Sequence, residues 1–199
     1  MMGKVVTDWF LIWFLALYAL GIVVLFIKFI VARPREKAVE RRIADWRRFF
    51  PLFFLPVDWF VPPLIVLSGI GQLSTLWPII RILGFALSLY ALVILVWVPQ
   101  VLGRFLVPQA VAFPDHELVT AGPFKYLRHP GFSGALALWL GTALGTLNWL
   151  LLALWFFLVA GKTMQARAEE EILRAKFGSV YEAYARRTWR FVPRIRRCG

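Results

Sequence analysis

GFSGALALWLGTALGTLNWLLLALWFFLVAG, Gly131 to Gly161, is an apolar stretch of about 31 residues with Gly141, Gly145 and Asn148 near its middle. One crossing of a hydrocarbon layer needs about 20 helical residues, so the stretch is longer than a single span requires, and turn formers sit at its centre. It reads as a tight helical hairpin turning near Asn148, with Gly134, Gly141 and Gly145 permitting close helix approach. One long tilted helix is the competing reading.

Upstream lie three more apolar runs. Trp9 to Ala32 holds a single charge, Lys28, and predicts a spanning helix. A cleaved signal peptide fits less well, because the apolar region is too long and no small-x-small site follows. Phe49 to Gly71 is interrupted by Pro51, Pro56, Pro62 and Pro63, each lacking an amide donor, and predicts a kinked or late-starting second span. Asp58 within it reads as an interfacial residue or a helix N-cap before Trp59, the alternative being a functional group at membrane depth. After the polar break Gln72 to Thr75, Pro78 to Val101 predicts a third span, with Arg81 close enough to its end to snorkel. Gly103 to Pro130 contains no uninterrupted spanning run. Lys162 to Gly199 begins as a helix outside the bilayer, with Leu173, Phe177, Val180 or Tyr181, and Tyr184 along one apolar stripe.

Composition agrees with this plan. Of 199 residues 60% are apolar, and a mean hydropathy of +0.70 excludes an ordinary soluble domain. The 23 basic residues exceed the 11 acidic ones for a net charge of +12, and 20 of the 23 fall within 33–48, 103–130 and 162–199. The positive-inside rule makes that side cytoplasmic. The expected architecture is an all-α, multi-pass integral membrane protein with about five transmembrane helices, including a C-terminal helical hairpin, plus a cytosolic C-terminal amphipathic helix. Its N-terminus is external and its C-terminus cytoplasmic. One domain, 1–199, is expected: 1–102 supply three N-terminal spans, and 103–199 form the chemistry-bearing region around the hairpin 131–161. The basic residues flank apolar runs instead of covering a polar domain, which argues against nucleic acid and for contact with membrane lipids. A single Cys198 and two histidines preclude an internal disulfide and a metal-ligand cluster.

An in-out-in hairpin brings its polar flanks together at the cytoplasmic surface. The first flank is HELVTAGPFKYLRHPGF, His116 to Phe132; the second is EEEILRAKFGSVYEAYARRTWRFVP, Glu169 to Pro193. They carry both histidines, a glutamate cluster, and Arg128, Arg187 and Arg190. The ordered pattern H-x-L-V-x-x-G-x-x-x-x-x-R-H-P, apolar hairpin, E-E-E-x-L-x-x-x-F-G-x-x-Y-x-x-Y resembles the isoprenylcysteine carboxyl methyltransferase family over residues 116–193. The resemblance implies an integral-membrane methyltransferase that moves a methyl group from S-adenosylmethionine to a carboxylate or thiol of a lipophilic small-molecule or lipid-modified acceptor, with no Rossmann unit required.

Carried over residue by residue, the resemblance implies cofactor contacts from His116, Leu118, Val119, Tyr126, His129, Pro130 and a glutamate, preferably Glu170. Gly122, with Pro123, supplies a turn, and Pro130 biases His129 toward extended backbone. The family places Tyr two residues after the proline of R-H-P; here Phe132 stands there, so a ring can cover the cofactor without a hydroxyl contact. Arg128 and Arg187 are expected at the reacting end, where a planar guanidinium can orient a carboxylate acceptor, and Glu170 could serve a thiol. Bland alternatives are a loop role for His116, an interfacial anchor for Tyr126, and headgroup binding by Arg187 and Arg190. Glu170 lies one turn before Arg174, so an i,i+4 pair is another possible role. Competing functions are a phospholipid-amine N-methyltransferase, a sterol-type NADPH reductase and a non-catalytic membrane scaffold. Cys198 has only Gly199 after it, so the chain lacks a four-residue prenylation signal of its own.

Overall fold

The computed structural model describes residues 9–31, 41–42, 50–73, 78–103, 111–112 and 117–192, with side chains described over 11–23, 53–73, 78–103 and 117–192. Among these residues the chain is overwhelmingly helical: α1 (Trp9–Val31), α2 (Phe50–Ser68), α3 (Pro78–Leu102), α4 (Pro130–Gly145), α5 (Trp149–Phe177) and α6 (Ser179–Arg187). One two-residue antiparallel pairing joins β1 (Arg41–Arg42) to β2 (Val111–Ala112), setting Arg41 opposite Ala112. A 3-10 turn, Gly122–Lys125, precedes α4. Helices α3 and α5 are long and apolar enough to cross a membrane, and Leu11–Val23 and Phe53–Ser68 are shorter apolar helical stretches.

The apolar stretch does fold as a hairpin. Helix α4 ends at Gly145, and α5 starts at Trp149 with Asn148 as its N-cap. Asn148 Oδ1 accepts from Leu151 N–H at 3.0 Å, while its Nδ2 donates to Ile70 O at 2.8 Å, so the turn is tied to the end of α2 as well. The glycines act as expected on α3. A Cβ on Gly84 would meet Gly145 N at 2.4 Å, and one on Gly141 would meet Gly84 O at 2.8 Å, so the two backbones touch. Tyr18, Trp59, Ala91 and Leu138 form one buried cluster; Val66, Leu136, Trp139, Leu151 and Leu158 form a second along the hairpin. Large apolar side chains such as Leu64, Ile79 and Phe157 also face outward, an arrangement suited to a hydrocarbon surrounding.

Four expectations are corrected. Helix α2 runs without a late start through Pro56, Pro62 and Pro63, because each proline deletes one donor in a helix whose neighbours hold it in place. Asp58 is not an N-cap: it lies inside α2, buried, in an ion pair with Lys162 of α5. Arg81 donates Nε–H to Gly145 O at 3.0 Å, binding the tip of the hairpin where simple snorkelling was expected. The stripe from Leu173 to Tyr184 is divided between two helices: α5 is continuous through the second arm of the hairpin to Phe177, and Gly178, at φ +51°, ends it before α6 begins. Tyr181 and Tyr184 are buried, whereas Val180 is exposed.

Candidate functional site

Three backbone hydrogen bonds bring the flanks of the hairpin together. Arg128 N–H donates to Trp189 O at 2.7 Å, His129 N–H to Arg190 O at 3.1 Å, and Trp189 N–H to Tyr126 O at 3.1 Å. The Tyr184 hydroxyl fastens α6 to the same segment, donating to Phe124 O at 2.8 Å and Leu127 O at 3.3 Å. Residues remote in sequence therefore meet over the last turns of α5.

At the centre is Glu170, whose side chain is fully buried. Its Oε1 accepts from Arg128 Nε at 3.1 Å, Arg190 Nε at 3.0 Å and His129 Nε2 at 3.3 Å; its Oε2 accepts from Arg190 Nη2 at 2.9 Å and Arg174 Nη2 at 3.2 Å. A carboxylate has about four lone-pair sites, so Glu170 is saturated by protein donors. Arg190 binds it bidentately, the strongest geometry available to the pair. Arg128 spends Nη1 on Ala185 O at 2.7 Å and Thr188 O at 2.6 Å, which locks its fork in place.

His129, buried, stands between two carboxylates, with Nε2 on Glu170 and Nδ1 at 3.3 Å from Glu169 Oε2. Burial alone would lower its pKa, but hydrogen bonds to Glu169 and Glu170 and the charges of both outweigh burial and hold it above the ordinary histidine value. Only the imidazolium can donate from both nitrogens at once. The His129 ring stacks on Phe132 at 5.4 Å between centroids and 3° between planes, and Phe191 stands edge-on to both at 6.2 and 6.5 Å.

The sequence-predicted residues divide. Arg128, His129, Phe132 and Glu170 come together, with Pro130 buried at the first position of α4. Leu118 and Val119 are half-buried. Gly122 packs where a Cβ would meet Val101 at 2.8 Å, with positive φ at the 3-10 turn. Tyr126 points outward, 58% exposed, with Lys125 Nζ 5.9 Å from its ring centroid; this is the anchor-like placement. His116 lies outside the described residues. Arg187 stands apart from the cluster: its exposed guanidinium donates to Ala183 O of its own helix at 3.2 Å. Arg190, three residues on, occupies the place expected of Arg187, because α6 ends at Arg187 and the extended backbone at Thr188 redirects the chain toward Glu170. Arg174 does make the i,i+4 pair with Glu170. Glu169 and Arg190 were not chosen from sequence, although their nearness to Glu170 and to the aromatic pair Trp189 and Phe191 was visible.

The donor set fits the charged groups of S-adenosylmethionine. Arg190 spends two of its five N–H groups on Glu170, leaving donors for an anion such as the cofactor's carboxylate. Phe191 offers a ring to a sulfonium, whereas the Phe132 ring that was expected to cover the cofactor is stacked on His129 and carries the Lys162 ammonium 5.3 Å from its centroid. The Tyr181 hydroxyl is buried without a partner among the described residues.

Comparison with known proteins extends this picture. Two rice proteins, from Oryza sativa subsp. indica and subsp. japonica, each named probable protein-S-isoprenylcysteine O-methyltransferase, are 36% identical to this chain over 86 residues. The match covers 41% of this chain and 43% of each relative, so the chain spans less than half the length of the curated relatives it matches. A family model described as phospholipid methyltransferase matches residues 79–180, about half of the chain. That span takes in α3, the hairpin, Arg128, His129 and the glutamates they meet on α5, and on this match the chain belongs to the phospholipid methyltransferase family.

Proposed function

We propose that this chain is a membrane-embedded methyltransferase, moving a methyl group from S-adenosylmethionine to a carboxylate or thiol of a lipophilic acceptor. The observation that carries the proposal is the closing of the R-H-P segment onto the glutamates of α5 around buried Glu170. The rice relatives, named for isoprenylcysteine O-methylation, support a lipid-modified acceptor. The family's description favours one second reading, in which the acceptor is a phospholipid amine.

When bound, S-adenosylmethionine supplies an electrophilic methyl group on a sulfonium. Arg128 and Arg190 hold the cofactor's carboxylate or orient an acceptor carboxylate, using donors that Glu170 has already aligned. Glu170 is thus a positioning residue, saturated by guanidinium and imidazolium donors. His129, Pro130, Phe132 and Phe191 form the wall, and Leu118, Val119 and Gly122 lie on the loop that approaches it. Fixing nucleophile and donor in line supplies most of the acceleration in such a displacement. Five crossings, an external N-terminus and a cytoplasmic C-terminus with the site at the cytoplasmic surface complete the proposal.

The test is calorimetric titration of detergent-purified protein with S-adenosylhomocysteine. One-to-one saturable binding that weakens at least about tenfold in Glu170→Gln is expected, since hydrogen bonds to charged groups are worth about 1.5–3 kcal/mol each. Absence of binding by folded wild-type protein would overturn the proposal.

A further inference from the structure

A second polar cluster lies deeper in the bundle, where α2 meets α5. Phe54 and Asp58, four residues apart, share one face of α2, and both meet Lys162 of α5. Asp58 Oδ2 accepts from the Lys162 ammonium, while Oδ1 has no donor, so among the described residues the carboxylate serves Lys162 alone. The ammonium lies over two rings, 5.2 Å from the centroid of Phe54 and 5.3 Å from that of Phe132. Gly161 makes room for the first ring: a Cβ there would stand 2.1 Å from Phe54 Cζ. Lys162 is 3% exposed, so water screens these contacts little.

Stability does not account for such a pair. Taking two charges out of water costs about as much as their attraction returns, and an apolar pair of similar volume joins two helices at least as well. An apolar pair could not, however, aim a cation at a ring. The face of a phenyl ring attracts a cation and its edge does not, so an ammonium fixed by Asp58 favours one tilt of Phe132. That tilt matters to the neighbouring ring, because Phe132, in the first turn of α4, stacks on His129 with 3° between the planes. The plane of His129 must be set, since Nε2 meets Glu170 and Nδ1 meets Glu169, each at 3.3 Å. We propose that Lys162, aimed by Asp58, is a positioning residue for His129 and acts through the Phe132 ring.

Lys162 precedes Glu170 by eight residues, about 12 Å along α5 at 1.5 Å per residue, and Phe132 bridges that distance. Through these contacts α2 takes part in ordering a cluster to which it contributes no hydrogen bond among the described residues. That the ring so held borders a cofactor site rests on the function proposed above; the positioning of His129 does not.

The experiment is nuclear magnetic resonance of full-length protein in micelles, with only histidine labelled with 13C and 15N. The chain has two histidines, and His116→Gln tells them apart. A stacked phenyl ring displaces the resonances of the imidazole protons that face it, and Phe132→Leu gives their position without the ring. Asp58→Asn/Lys162→Met removes both charges at nearly constant volume. It should move the His129 ring protons more than about half of the way to their Phe132→Leu position, because the ring has lost the cation that orients it. The ring nitrogen shifts, recorded alongside, ensure that the same charge state is compared throughout. Wild-type positions retained in the folded double variant, as a purely structural pair requires, would overturn the proposal. So would identical His129 resonances in wild type and Phe132→Leu. Should the double variant not fold, Asp58→Leu/Lys162→Met, which leaves no polar group of the pair buried, is judged by the same criterion. S-adenosylhomocysteine titrated into the wild-type sample separates the two ideas: its failure to bind strikes the methyltransferase reading and leaves the positioning role to be judged by the histidine spectrum.

Discussion

Two arginines three positions apart have opposite fates. Arg190 is bidentate on Glu170, whereas Arg187 reaches only a carbonyl of its own helix. Arg190→Ala should therefore weaken S-adenosylhomocysteine binding about tenfold or more, and Arg187→Ala by less than about twofold, since an exposed charge contributes about 0–1 kcal/mol. Calorimetry on both variants checks this, and equal losses would return Arg187 to the site. Arg187 was expected at the reacting end because a planar guanidinium can orient a carboxylate; the sequence did not reveal the change of backbone direction at Thr188, after α6, that decides which arginine turns inward. His129 and Glu170 were legible because the motif fixes their order, whereas the saturation of Glu170 by five hydrogen bonds belongs to three dimensions alone. His129 also sets a pH dependence. Its folded pKa is raised, so the stability it contributes is fully present below its unfolded pKa of about 6.5 and is lost as pH rises through the higher folded value. Melting temperature should fall as pH climbs above about 6.5, and His129→Gln should flatten that slope. A scan of thermal unfolding against pH, with no difference between the two proteins, would reject the imidazolium assignment.

At the scale of elements, the hairpin was legible because turn formers interrupt an apolar stretch too long for one crossing. The course of α2 was not: three internal prolines look like breaks on paper, yet packing against α1, α4 and α5 retains the helix. The merging of the hairpin's second arm with the polar helix after it was also hidden, since a change in composition at Lys162 resembles a boundary although the backbone continues to Phe177. The α3 and α4 contact yields a graded prediction. At Gly84 an added Cβ meets backbone, Gly145 N at 2.4 Å and Gly141 O at 2.7 Å, whereas at Gly134 its nearest neighbour is the Ile94 side chain at 3.1 Å. Backbone cannot yield without moving a helix. Gly84→Ala should cost about 1–3 kcal/mol, as overpacking of a tight core does, and Gly134→Ala less. Unfolding of both variants in mixed micelles measures the difference.

For the whole molecule, the length of α5 links fold to site. Its first residue, Trp149, lies 21 residues before Glu170, about 31 Å at 1.5 Å per residue, close to the thickness of a hydrocarbon layer. If the hairpin tip stands at one membrane face, Glu170 stands at the other, and Lys162 with Asp58 falls between them. The charge pattern predicts which face is which, since 20 of 23 basic residues fall within 33–48, 103–130 and 162–199, the segments that five crossings would put on the site's side. Labelling must avoid Asn148 itself, which is buried as the N-cap; its neighbour Trp149 is 55% exposed. In a Cys198→Ser background, Trp149→Cys should react with a membrane-impermeant maleimide in intact cells, and Lys125→Cys, on the loop entering the site, only after lysis. The reverse pattern would invert the topology and place the site outside. Protection of Trp149→Cys before and after lysis would mean that the tip stops within the bilayer, so that α4 and α5 re-enter the face they left and the chain crosses fewer than five times.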